Sequence, residues 1–173
     1  MPFKYYTRLT AAQRKIYRVS DAIEVILLPD PVALRPLVPR LKEALAREDR
    51  AAVQRVCQAI ADGIVAQLGT RPVQVRVLAV RPANGQEELH GFYEGVEGRI
   101  KVARISVWMR TAAKRKVVAF RTFLRTFLHE LCHHLDYEYL KLPDSFHTEG
   151  FYKRESSLFR QLVDEARGVT PPA

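Results

Sequence analysis

The chain has 173 residues, 47% of them hydrophobic, a length that fits one domain able to bury a real core and a composition that excludes wholesale disorder. Its formal net charge of +9 suits nucleic acid or another acidic partner, but the basic residues are spread out, with only short clusters such as Lys114-Arg115-Lys116, so a solvated basic surface accounts for it equally well. No window reaches the roughly 18 apolar residues of a membrane span, and the two cysteines, Cys57 and Cys132, exclude a disulfide framework and a separate four-thiolate zinc ribbon.

Met1-Pro2-Phe3-Lys4-Tyr5-Tyr6 lacks the apolar core and cleavage site of a secretion signal, which points to the cytoplasm. Thr10-Ala11-Ala12-Gln13 has capping-box spacing and predicts a short helix through about Arg18, with Ile16 and Tyr17 turned to the core. The run at 22–28 leads into Pro29, Pro31, Pro36 and Pro39, which mark a turn-rich connection. From Leu37 to Leu68 apolar residues recur every three or four positions, a helical stripe broken near Glu48-Asp49 and ended by Gly69.

Residues 73–80 alternate and are β-branched, and Pro82-Ala83-Asn84-Gly85 closes that strand. Residues 88–93 form a shorter strand candidate, and 99–109 alternate throughout. A long helix follows from Val117 to about Tyr139, its apolar face built of Phe120, Phe123, Leu124, Phe127, Leu128 and Leu131. A last helix is expected from near Thr148 to Arg167, ended by Gly168. The class that follows is α+β, one domain over 1–173. It is mainly helical at 1–70, has a small mixed or antiparallel sheet of about three strands at 71–110, and returns to helices at 116–168.

The chemistry concentrates in the long helix. Four of the five histidines fall between positions 129 and 147. His129 and His133 are four apart, so their rings share one helix face and can hold one tetrahedral metal. Glu130 stands about 100° around the same helix, too far for ligation but within reach of a water at the metal, where it acts as general base. This is the H-E-x-x-H pattern of zinc hydrolases. Catalytic zinc takes three protein ligands, and His147, beyond the loop Lys141-Leu142-Pro143-Asp144, is the candidate third. Glu149 and Glu155 are rivals for that place. His134 faces away from the pair and reads as a packing residue or a supporting one behind the site, Cys132 as a buried thiol, and Asp136 either as a carboxylate able to orient a histidine through its second ring nitrogen or as a plain surface carboxylate. An oxyanion donor is needed as well, and Tyr137, Tyr152 and Arg154 are the candidates. The strand at 100–109 would pair with an extended peptide if it formed a sheet edge beside the metal, and would have ordinary partners if interior. Trp108 reads as a core residue.

The stretch from Arg121 through Leu162, with His129-Glu130-Leu131-Cys132-His133 and Phe146-His147-Thr148-Glu149-Gly150, resembles the zincin metallopeptidases, and among them the small SprT-like zinc proteins of bacteria. The resemblance covers about a quarter of the chain. It implies a zincin-like fold in which a compact sheet packs on the metal-bearing helix, with Zn2+ as cofactor, His129, His133 and His147 as ligands and Glu130 as general base. The SprT-like pattern has glycine directly after the third histidine, whereas Thr148 stands here and Gly150 follows later. The expectation is a cytoplasmic zinc metallopeptidase acting on a peptide or protein substrate. Two alternatives stand beside it: a basic nucleic-acid-associated binding module with a structural or vestigial metal site, and a zinc hydrolase of non-peptide amides.

Overall fold

A computed structural model describes residues 3–80, 91–111 and 114–163. A 3-10 turn, Lys4–Arg8, leads to α1 (Ala11–Ala22). The capping box is present: the Thr10 hydroxyl accepts the Gln13 N–H, and the Gln13 side chain accepts the Thr10 N–H. The helix runs beyond the expected Arg18, because Tyr17 and Ser20 one turn apart both find buried partners. The prolines divide between two roles. Pro31 opens a second 3-10 turn, Pro31–Leu34, capped by Asp30. Pro36 and Pro39 do not interrupt a helix; they occupy the N-cap and first turn of α2 (Leu37–Ala46), where no intrahelical N–H is required.

The break expected near Glu48-Asp49 separates α2 from α3 (Arg50–Leu68). Glu48 turns with φ of 55°, the Asp49 carboxylate accepts the Ala52 N–H at 3.0 Å, and Gly69 ends α3 at φ 65°. Three strands follow, β1 (Val73–Val80), β2 (Gly91–Glu94) and β3 (Ala103–Arg110), in the order β1-β3-β2. β1 runs parallel to β3 and β2 antiparallel to it, so the sheet is mixed.

β3 is therefore the central strand, not an edge, and it begins at Ala103 because residues 97–100 turn on the Ile100 N–H bond to the Glu97 carbonyl. Val73, Val75 and Val77 of β1 and Ala103, Ile105, Val107 and Met109 of β3 sink into one core with α3 and α4 (Phe120–Glu138). Leu78, Phe92 and Trp108 lie on the opposite face, so half-buried Trp108 stands opposite Leu78 and outside the core expected for it. The expected closing turn at 82–85 and the start of the second strand at 88–90 fall outside the described residues, as does Gly168; the last helix ends at Leu162, short of the expected Arg167, because Val163 leaves helical geometry with φ −95° and ψ 86°.

α3 lies along β1 and seals its outer edge. Gln58 accepts the Val75 N–H and donates to the Val73 carbonyl, Gln54 accepts the Val77 N–H, and Arg50 donates to the Val77 carbonyl. α4 covers β3 and β2, α5 (Glu149–Leu162) packs on α4, and α1 packs on α5. The last contact is close enough to require glycine, since a Cβ on Gly150 would sit 2.3 Å from the Asp21 carbonyl oxygen. Among the described residues no helix is long and apolar enough to cross a membrane.

Candidate metal centre

The four-residue spacing on α4 puts the His129 and His133 rings side by side, centroids 5.1 Å apart. The loop after α4 returns His147 to them just before Thr148, whose hydroxyl caps α5 by accepting the Phe151 N–H at 2.9 Å. Nε2 of His147 lies 2.9 Å from Nε2 of His129 and 3.0 Å from Nε2 of His133. Phe151, fully buried, packs under all three rings at 4.7–5.3 Å.

The far side of each α4 ring fixes its tautomer. Nδ1 of His129 faces a Glu155 carboxylate oxygen at 3.2 Å, and a carboxylate only accepts, so the ring proton sits on Nδ1. Nδ1 of His133 lies 2.7 Å from the Ser145 hydroxyl, which spends its own proton on Asp136 Oδ2 at 2.8 Å and so accepts from the ring. Asp136 is fully buried and paired with the equally buried Arg154, whose Nη2 donates to Oδ1 at 2.9 Å. Arg154 also donates to the carbonyls of Ser20 and Ile23 at the end of α1. Both Nε2 lone pairs on α4 are thereby left facing His147.

Two lone pairs converge on the third ring nitrogen at about 3 Å, where a neutral His147 can offer its single ring proton to only one of them at a time, whereas a cation would satisfy all three. Protonation is disfavoured: burial and the neighbouring His129 and His147 lower His133 to about 3, and burial with His129 lowers His147 to about 4. Neutral imidazole is the ligating form, and all three histidines offer nitrogens within 4.8 Å of one another. Tetrahedral zinc with bonds of about 2.0–2.1 Å holds its nitrogens about 3.3–3.4 Å apart, so the two contacts to His147, at 2.9 and 3.0 Å, would lengthen by a few tenths of an ångström to accept it.

Glu130 is on the flank of this cluster, buried, its side chain lying against the backbone of β2. A Cβ on Gly91 would fall 2.6 Å from both Cγ and Oε1 of Glu130, so only glycine leaves room for that carboxylate. Burial pushes Glu130 up to about 7 against the opposing pull of His129. The three histidines and Glu130 line a groove of about 720 Å³ that follows α4 from Thr122 to Tyr137, with Gly91, Phe92 and Tyr93 of β2 on its wall.

The remaining sequence candidates sort plainly. Glu155 is occupied behind His129, and Glu149 is exposed on α5, bonded to Lys153 at 3.2 Å. His134 packs toward the sheet between the Arg71 carbonyl (2.9 Å) and the Tyr93 hydroxyl (3.2 Å). Asp136 does orient a histidine, through Ser145 rather than directly. Cys132 is fully buried, and its thiol is pushed up by that burial. Arg154 is committed inside the protein and is no oxyanion donor. Tyr152 stacks on His147 at 5.9 Å outside the groove lining, while Tyr137 lies within it. Sequence reasoning missed Ser145, Tyr93, Gly91 and Arg125. Of these only Gly91, a glycine inside a strand pattern, carried a local signal of close approach. Compared with known proteins, the chain matches no family model, no curated protein and no solved structure.

Proposed function

We propose that this protein is a zinc-dependent hydrolase that cleaves peptide bonds, a zincin-like enzyme of the kind its H-E-x-x-H stretch resembles. The observation that carries the reading is the convergence of three imidazole nitrogens beside a buried carboxyl at the wall of an open groove. His129, His133 and His147 would hold the ion. Bound there, zinc supplies a water of lowered pKa and polarises a carbonyl oxygen.

The chain's own groups do the rest. Glu130, with a carboxyl pushed up to about 7, is poised near neutrality to take a proton from water and hand it to the departing amine. Glu155, and Ser145 with Asp136 behind it, keep both α4 rings in the ligating tautomer. Tyr137 lines the groove wall with its hydroxyl donated to Asp144 at 3.4 Å, so it would have to give up that weak bond to serve a developing oxyanion. β2, an edge strand, offers main-chain groups with which an extended substrate can pair.

The test is Glu130→Gln. It should leave one zinc per chain by elemental analysis and lower peptide hydrolysis by about 10²–10⁴-fold. Undiminished cleavage by that variant would discard the mechanism. Salt-sensitive binding of nucleic acid that ignores the substitution, in a protein without hydrolysis, would favour the binding-module alternative.

A further inference from the structure

The groove is chemically different at its two ends. Toward the start of α4 it is lined by Thr122, Arg125 and Thr126, and Arg125 is the one Lys or Arg in its lining among the described residues. The Arg125 guanidinium lies over the Phe159 ring at 4.3 Å, and 43% of the side chain stays open. Its partner on the protein is an incomplete one: Glu155 reaches it at 3.4 Å while the same carboxylate serves Nδ1 of His129. Toward the end of α4 the wall is aromatic. Tyr93 and Tyr137 lie 6.0 Å apart and within 16° of parallel, and Tyr93 in turn stacks on His133 at 6.4 Å.

We infer that this groove selects polypeptide segments with an acidic side chain for the Arg125 end and an aromatic or large apolar side chain for the Tyr93–Tyr137 end. The inference rests on the hydrolase reading above and names the substrate class of that same site. A planar cation short of a full counter-ion is matched by a carboxylate, which it can grip with two parallel hydrogen bonds. Paired tyrosine rings offer faces and edges to a third aromatic group. The spacing is fixed as well. Arg125 and Tyr137 are twelve residues apart on one helix, about 18 Å at 1.5 Å per residue. An extended segment spans that in about five residues, with the metal-site histidines between the two ends.

The experiment uses zinc-loaded Glu130→Gln full-length protein, titrated with fluorescent decapeptides. One peptide carries Glu and Phe five residues apart, and others replace Glu by Gln or Lys, or Phe by Ala. The Gln and Ala peptides should each bind about fivefold more weakly, the scale of one charge-assisted or aromatic contact at a half-open site. Adding Arg125→Glu should invert the preference, so that the Lys peptide binds better than the Glu peptide. Adding Arg125→Gln should erase the discrimination between them, a result that loss of fold cannot imitate while the Phe preference persists. Equal binding of the Glu, Gln and Lys peptides with arginine at position 125, or no binding of any, overturns the inference. Absence of hydrolysis by the unsubstituted protein would overturn only the hydrolase reading, because the selectivity is measured on a variant that need not turn over.

Discussion

Along β1 the outward backbone is consumed by α3. Gln54, Gln58 and Arg50 take the N–H groups of Val75 and Val77 and the carbonyls of Val73 and Val77, so no further strand can add there. Along β2, the other edge of the same sheet, no side chain among the described residues bonds to the backbone, and the strand fronts the groove instead. Among the described residues, one edge is consumed by the protein's own side chains and the other is not. The contrast teaches that an unsealed edge in a protein able to seal one is informative, above all when a candidate metal centre stands beside it.

The contrast can be broken first at Asp136, which lies behind the groove yet carries a structural load. Asp136→Ala would strand the fully buried Arg154 without its counter-charge, at a cost of about 3–5 kcal/mol in chemical denaturation. A loss under about 1 kcal/mol would mean that the Ser20 and Ile23 carbonyls suffice. Gly91→Ala, on the open edge, should displace Glu130 and lower hydrolysis by about 10²-fold, the scale of a 1 Å misplacement. Its denaturation midpoint should move far less than that of Asp136→Ala. Gln58→Ala, on the sealed edge, should do the reverse: it frees the Val75 N–H and Val73 carbonyl at a cost of about 1–3 kcal/mol, with unchanged turnover per folded molecule.

A further effect lies in the pH dependence of the metal-free protein. His133 and His147 are lowered to about 3 and about 4, below the ordinary histidine range, so their stabilisation is complete above about pH 6.5 and is lost as pH falls toward those values. Glu130 is raised to about 7, so its stabilisation is complete below the ordinary carboxylate range and lost as pH rises through 7. Glu130→Gln should therefore stabilise the metal-free protein at pH 8 and converge on the wild type near pH 4.5. Parallel melting curves at both pH values would mean that Glu130 reaches water freely.

Much of this was legible in the sequence because it is local. The capping box at Thr10, the α2–α3 break, the end at Gly69 and the shared face of His129 and His133 all follow from residues within a turn or two of one another. What was not legible is set by distant chain. β3 and β2 have similar alternation, and only the parallel pairing with β1 makes β3 central. Arg154 looks like a surface cation on an amphipathic helix until the end of α1, more than 130 residues upstream, supplies its acceptors. The partner of His133 is a serine in a loop, a residue type with no spacing rule to announce it. The start of α2 at Leu37 was legible despite Pro36 and Pro39, because the apolar spacing from Leu37 onward leaves those prolines the N-cap and first turn, where no N–H is needed.

The Tyr5 hydroxyl donates to the His147 carbonyl at 2.7 Å, and Phe3 and Tyr17 pack against Tyr152 and Phe146 on either side of that histidine. The segment holding the third imidazole in place is thus made at the opposite end of the polypeptide from the segment that bears it. During synthesis these early aromatic residues must wait until residue 152 has left the ribosome before their contacts can form. The tri-histidine cluster therefore depends on contacts that join residues 3–17 to residues 146–152.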